Sequence, residues 1–515
     1  MKYPIGVQDF EDLRRKGYVY VDKTRHVYEL AAGGKCYFLG RPRRFGKSLL
    51  ISTFEAYFKG KRELFQGLAL EKLEKDWTEY PVLHLDLNTA QYNDELSLNG
   101  VLNDAICQWE NLYGSSSSEV TPALRFKGII RRAVEQTGRQ VVILVDEYDK
   151  PILQTFNNPA LQDELRSELK AFYSVLKTQD RYIRFAFLTG VTKFGKVSVF
   201  SDLNNLNDIS MDDRYIDICG MTEREVHECF GESISGLAEA NGLTFEEACQ
   251  KLGEHYDGYH FDVDTPGIYN PFSLLNTFDK GKFRNYWFET GTPTFLYDIL
   301  RRTDYNLNRL QDGEVTSSVL TSVDSVTRNP IPVIYQSGYL TIKSYNKEFD
   351  TYTLDFPNKE VEDGFIKYLL PLYVPNDMDE PVLSVTRFVE DVRRGDPESF
   401  MERLQTFFDD ADYRVTGKME VYFQNALYLI FKIMGFYTEV ERATSRGRID
   451  VVIKTRDYIY VIECKRDSSA AAALQQIEDK GYARPFAQDS RRLYKIGINF
   501  SSEIRGIDDW KVVEG

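Results

Sequence analysis

The sequence predicts an α/β protein: a doubly wound parallel sheet with a helical lid and a winged-helix-like middle module, then a small C-terminal α/β domain. Three observations carry that prediction. Apolar, β-branched runs end in polar or glycine-containing turns over roughly the first 220 residues. Helical patterning replaces them after Met221. Near the C-terminus a strand–turn–strand pattern bearing charged residues is followed by a helix and another strand.

At 515 residues the chain exceeds one ordinary core. The expected boundaries are 1–220 for the sheet domain, 221–300 for the lid, 301–380 for the middle module and 381–515 for the C-terminal domain. The net charge of −15 argues against a broad surface that coats nucleic acid. From Val440 onward, however, 14 Lys and Arg meet 12 Asp and Glu. A polyanion is tolerated best there. No run approaches the ~18–20 apolar residues of a membrane span. The start, MKYPIGVQDFEDL, has no apolar signal-peptide core. Six scattered cysteines without metal-ligand spacing point to a reduced, cytoplasmic protein.

The first strand of the sheet is CYFL, and the helix after the next turn is LLISTFEAYF. Between them lies GRPRRFGKS, Gly40 to Ser48. Strand, Gly-Lys-Ser loop and helix form a layout that holds nucleotide phosphates on backbone N–H groups and a helix N-terminus. Arg44, Phe45, Gly46, Lys47 and Ser48 are the expected phosphate-binding residues. Lys47 reaches the β/γ-phosphates of ATP in this reading, and the Ser48 hydroxyl ligates Mg²⁺. The pattern GxxxxGK[ST] places its first glycine at position 41, where Arg41 stands. Gly40 comes one residue early, and Pro42 lacks an N–H. The departure alters the entry turn more than the cradle, because the donors lie downstream.

QVVILVDEYDKP, Gln140 to Pro151, reads as a buried parallel strand ending in carboxylates. Acidic residues at that end sit where α/β sheets bind ligands. Asp146 is expected to hold Mg²⁺, and Glu147 to polarise the attacking water. RYIRFAFLTGVTKF, Arg181 to Phe194, adds a third strand, with Thr189, Thr192 and Lys193 as γ-phosphate sensors or as plain turn residues. PVLHLDLN adds a fourth.

Thr222 and Glu225 stand in capping-box spacing at the start of the lid. Ile331 to Leu370 reads helix, strand, turn, strand, helix, which suits a winged module for docking. Pro375 to Pro381 reads as a linker, and Ser115 to Ser118 as a loop.

In the C-terminal domain, GRIDVVIKTRDYIYVIECKRD is a hairpin by pattern. Asp450 lies on its first strand. Glu463 and Lys465 lie two apart on the second, on one face. Carboxylates on both strands with one lysine suit a divalent metal, held by Asp450 and Glu463, and a water attacking a phosphodiester. Glu420, on a preceding amphipathic helix, completes the set, and Gln476 returns towards it on the helix of ALQQIEDKGY. Surface charges on a two-faced sheet are the alternative reading of the same pattern.

VYVDKTRHVYEL, FLGRPRRFGKSLL, LVDEYDKPI, LTGVTKF and LNNLNDIS together resemble the bacterial AAA-ATPase-like family over roughly residues 1 to 220. The resemblance implies a P-loop NTPase fold, and implies that Arg41 belongs to the family's usual loop. GRID, ECK and QQI resemble the PD-(D/E)XK nuclease superfamily over about 400 to 515, which implies a restriction-endonuclease-like domain. It carries nuclease roles to Glu420, Asp450, Glu463 and Lys465, with Gln476 accessory. Ile449 replaces the motif's proline.

The combined expectation is a hydrolase that binds ATP and Mg²⁺ and couples nucleotide state to metal-dependent cleavage of DNA. The rival is a nucleotide-switched signalling or defence protein whose C-terminal domain binds nucleic acid or a partner without cutting. A third reading is a mobile-element passenger with neither activity. A homo-oligomer is compatible with the sequence, and Arg184 and Arg214 are basic residues near the first site.

Overall fold

The computed structural model describes residues 1–193, 206–289, 296, 299–300, 303, 305–312, 314–317, 320, 329–373, 381–409, 419–435, 439–445, 448–504 and 506–515. Backbone alone is described at 289, 311–312, 381–384, 409, 419–420, 422–424, 439–445 and 448–450. The chain forms two compact units. One comprises Met1–Thr303 and Leu310–Glu362, the other Asp304–Arg309 and Asp363–Gly515. The expected lid and most of the winged segment thus share a unit with the N-terminal sheet.

That sheet contains β1 (Cys36–Gly40), β2 (Val82–Asp86), β3 (Val141–Asp146), β4 (Ile183–Gly190) and β5 (Asn207–Asp208). Their order is β2-β3-β4-β1-β5, and every pairing is parallel. β3 is buried at all six positions, which explains its unbroken VVILV run. Helices Glu95–Tyr113, Pro122–Thr137 and Pro159–Thr178 give Leu102, Ile106, Phe126, Ile130, Leu165, Leu169 and Phe172 to the core around it. Each begins on a side-chain cap, from Asp94, Thr121 and Asn158 respectively. Because the sheet is parallel, β1, β3 and β4 all end on one edge. The chain's jump from β1 to β2, across β4 and β3, makes that edge a topological switch point.

β6 (Met221–Thr222) pairs antiparallel with β7 (Ile268–Tyr269). Helices Glu223–Asn241 and Phe245–Tyr256 each start with a complete capping box, Thr222/Glu225 and Thr244/Glu247. Val226, Phe230, Ile234, Leu252, Tyr256 and Leu274 form their common core. The middle module has helix Ile331–Gln336, β9 (Thr341–Asn346), β10 (Thr351–Asp355) and helix Lys359–Leu369, in the expected order. A further strand, β8 (Glu314–Thr316), pairs with β10 and completes a three-stranded antiparallel sheet. The linker expected over 375–381 lies outside the described residues except for Pro381, which opens the helix Pro381–Arg394.

The second unit holds a mixed sheet of order β11-β12-β13-β14-β15: β11 (Glu439–Ser445), β12 (Arg448–Lys454), β13 (Tyr458–Arg466), β14 (Arg492–Ser501) and β15 (Gly506–Glu514). β12 and β13 are the expected hairpin, antiparallel in register. β13 and β14 are parallel, so a crossover must join them, and helix Ala470–Lys480 supplies it. The helix lies close on the sheet at Gly497. A Cβ there would stand 2.3 Å from the Ala470 carbonyl oxygen.

Candidate functional site

The loop after β1 turns through two left-handed residues, Arg44 at φ +67° and Gly46 at φ +95°. Alternation of this kind converges N–H groups into an anion nest. Gly46 is the cap of helix Lys47–Phe58, and a side chain at its φ would be strained. The helix's first N–H groups have no intrahelical partner and carry its positive dipole end.

Lys47 is buried, and its ammonium spans the loop. Nζ donates to the carbonyls of Arg41 at 3.0 Å and Pro42 at 3.2 Å, and pairs with Glu147 at 3.2 Å. Glu147 sits just beyond β3 with φ +54°. Asp146, the last residue of β3, is buried; the Thr189 hydroxyl hydrogen-bonds its carboxylate, and the Ser48 side chain stands close to it. Burial, then the adjacent Glu147 charge, holds Asp146 above the usual carboxylate range.

A cavity of about 460 Å³ adjoins these groups. Its apolar lining includes Ile5, Val7, Val19, Val21, Phe230 and Phe272. Five lining side chains are cationic, Lys23, Arg43, Arg44, Lys47 and Lys150, and one, Glu147, is anionic. In a chain of net charge −15 this is a strong local inversion. Downstream residues grip the loop's outer face. The Trp287 indole donates to the Arg43 carbonyl at 3.1 Å, and Arg44 lies over the Phe272 ring at 5.0 Å. Phe45 meets Tyr259 edge-on, with ring centroids 4.8 Å apart.

The two threonines offered as phosphate sensors are fully buried, and each hydroxyl is directed to a carboxylate. Thr189 donates to Asp146, and Thr192 to Asp149 at 2.7 Å. Lys193 pairs with Asp208 at 2.5 Å. Arg184 donates to the Ala31 carbonyl, and Arg214 pairs with Asp212.

Two residues have roles here that the motifs did not reveal. Asp149 accepts from the N–H groups of Val191 and Thr192 and so ties β3's end to β4's end. Burial, reinforced by Glu147, raises its carboxyl. Its signal was a third acid in VDEYD. Arg41 is 1% exposed and donates to the carbonyls of Gly40, Ser210, Tyr215 and Ile216, with its guanidinium 3.9 Å from the Phe261 ring centroid. Burial pulls its pKa down to about 10. It pins the loop's entry from behind, where a glycine would leave a void. No local pattern could reveal that, since its partners lie about 170 residues downstream.

In the second unit, Asp450 of β12 stands directly opposite Glu463 of β13. The side chains of Asp450 and Glu420 lie outside the described residues; position 420 falls in helix Met419–Gly435. Glu463 is completely buried. The Gln476 amide donates to its Oε1, and Lys465 in turn donates to the Gln476 oxygen. Lys465 Nζ is 3.5 Å from the same Glu463 oxygen. The other oxygen, Oε2, has no hydrogen-bond partner among the described residues. Ser469 caps the helix that carries Gln476, and the close approach at Gly497 seats it. Among the described residues no cluster of three metal-ligating side chains occurs.

Comparison with known proteins supports both halves. The model of a predicted AAA-ATPase matches residues 4–200, and that of the PD-(D/E)XK nuclease superfamily matches 418–510. A protein of Azotobacter chroococcum mcd 1, described as an uncharacterized protein in the vnfD 5' region, is 36% identical over 518 residues, covering 98% of each chain. Among solved structures, the Aeropyrum pernix ORC2 protein in ADPNP and ADP complexes aligns over 69% of this chain and 90% of that one, at 10% identity and a TM-score of 0.23. A relative 36% identical over the full length, with both domain models in order, leads to one assignment: the chain belongs to the AAA-ATPase-like family and carries a PD-(D/E)XK nuclease superfamily domain at its C-terminus.

Proposed function

We propose that the chain binds and hydrolyses ATP with Mg²⁺, and that its nucleotide state governs metal-dependent cleavage of DNA by the C-terminal domain. The observation that carries the first half is the cavity beside the nest loop, with five cations to one acid. The apolar end receives the base, and Arg44 to Ser48 receive the phosphates. The Ser48 hydroxyl and Asp146 carboxylate stand together as hard oxygen donors, a set that suits Mg²⁺. Held there by Ser48 and Asp146, that ion would offset the negative charge of the terminal phosphates. Lys47 must exchange its carbonyl partners for phosphate oxygens. Glu147 then loses its cation and is released to take a proton from water. Thr189 and Thr192 act through Asp146 and Asp149, by fixing where the ends of β3 and β4 lie.

For the second half, the buried Glu463 Oε2, without a hydrogen-bond partner among the described residues, is an acceptor that a cation would satisfy. Asp450 and Glu463 are the ligands of this reading, and a divalent ion there supplies charge stabilisation at the scissile phosphate. Lys465, oriented by Gln476, positions the nucleophile. Glu420 completes the acidic set. All six cysteines are free thiols, which suits the cytoplasm. No described helix is long and apolar enough to cross a membrane.

The test is cleavage of a panel of DNA forms with Mg²⁺ or Mn²⁺, with and without ATP, by wild type and Lys465→Ala. Cleavage that needs Lys465 and changes with ATP is expected. Absence of cutting by wild type under every condition removes the nuclease half. Nucleotide titration of wild type and Lys47→Ala addresses the other half separately.

A further inference from the structure

Lys150 opens helix Lys150–Gln154 just beyond β3, and its half-buried side chain lines the same cavity as Lys47, Ser48 and Glu147. Its ammonium donates to the main-chain oxygen and Oδ1 of Asn88, at 2.7 and 2.8 Å. Asn88 follows β2 and also lines the cavity. An ammonium has three N–H bonds, so two neutral acceptors leave one. Of the other cations lining the cavity, Lys23 pairs with Glu225 and Lys47 with Glu147, whereas Arg44 lies over the Phe272 ring. Among the described residues Lys150 makes no ion pair. An amide and a carbonyl fix its place without neutralising it. Burial pulls its pKa below the ordinary range; the Glu147 charge resists and Arg43 adds to the fall. A charge held this way is costly until an anion meets it.

We propose that Lys150 contacts the terminal phosphoryl group of the bound nucleotide, and that Asn88 positions it. This rests on the nucleotide reading above. In hydrolysis the water oxygen bonds to the terminal phosphorus as the bond from phosphorus to the bridging oxygen breaks. The bridging oxygen keeps the electron pair and leaves on ADP. The proton from water passes through Glu147 to the phosphate. Charge gathers on the oxygens around that phosphorus, and a fixed ammonium there stabilises it. The chain then supplies from its own sequence the cation that many such sites borrow from a neighbouring molecule.

Calorimetric titration of the full chain with Mg²⁺-ADP and with a non-hydrolysable Mg²⁺-ATP analogue tests this. Lys150→Met is expected to bind the analogue about tenfold more weakly and ADP within about twofold of wild type. Lys150→Arg should recover most of the loss. Asn88→Ala, which keeps the lysine but frees it, should fall between. ATP turnover per chain should not change with protein concentration. Equal losses for both nucleotides, no loss in Lys150→Met, or turnover per chain that rises with concentration would each overturn the assignment. If wild type binds neither nucleotide, the underlying nucleotide reading fails, a result distinct from all three.

Discussion

At the loop from Gly40 to Ser48 most hydrogen bonds end on main-chain carbonyls, whereas on β13 they run from side chain to side chain. Lys47 rests on two carbonyls, Arg41 reaches four others, and Trp287 holds a seventh. In the C-terminal unit, Lys465, Gln476 and Glu463 form a chain of side-chain hydrogen bonds above a backbone that contributes only register. A cradle made of backbone tolerates an altered sequence if its turns survive. A cradle made of side chains tolerates a shifted backbone poorly, because each group must reach the next.

The largest effect that would sharpen this comparison is at Lys465. Lys465→Ala removes a link that nothing else replaces, and the cleavage rate should fall about 10²- to 10³-fold, read from initial rates on the best DNA substrate. At the loop, Arg41→Gly restores the glycine of the general pattern, yet it strips partners from several buried carbonyls. A loss of about 3 kcal/mol in denaturant unfolding is expected, with weaker nucleotide binding, and an unchanged or more stable variant would break the comparison. Gly497→Ala tests the other side without touching a charged residue. Its Cβ would drive the Gln476 helix off the sheet, costing about 1–3 kcal/mol and lowering cleavage well beyond any effect on ATP binding.

The smallest expected effect concerns His84 and Glu55, 2.9 Å apart. Burial alone would raise Glu55, but bonds from His84 and Lys59 bring it down to about 2. Burial opposes protonation of His84, yet the Glu55 hydrogen bond and charge raise its pKa. The Glu55 contribution is present above its unfolded pKa near 4.5 and is lost as pH falls towards 2. The His84 contribution is present below its unfolded pKa near 6.5 and is lost as pH rises through the raised value. The pair therefore stabilises most between those limits. His84→Gln should cost about 1 kcal/mol there and progressively less at higher pH, measured by thermal unfolding across a pH series.

The parts legible in sequence were those whose cause is local. The glycine and lysine of FGKS, the acids ending VVILVDE, the Thr222/Glu225 box and the two-residue spacing of Glu463 and Lys465 each impose structure on their neighbours. β5, β8, β11 and β15 escaped notice. β5 has two residues and β8 three, too few for any period, and RATS or DDWK give an edge strand no apolar alternation. The anchoring role of Arg41, that of Asp149 and the Asn88–Lys150 contact escaped for another reason. Their partners come from distant segments, and a basic or acidic residue looks the same on paper whether it faces solvent or is buried.

The indole of Trp287, resting on the Arg43 carbonyl, also gives the loop an optical voice. The chain has four tryptophans, Trp77, Trp109, Trp287 and Trp510, and only Trp287 lines the cavity. Its emission depends on whether its N–H keeps that carbonyl. A rearrangement of the loop around incoming phosphates would thus register as a spectral shift that Trp287→Phe abolishes, with no label attached.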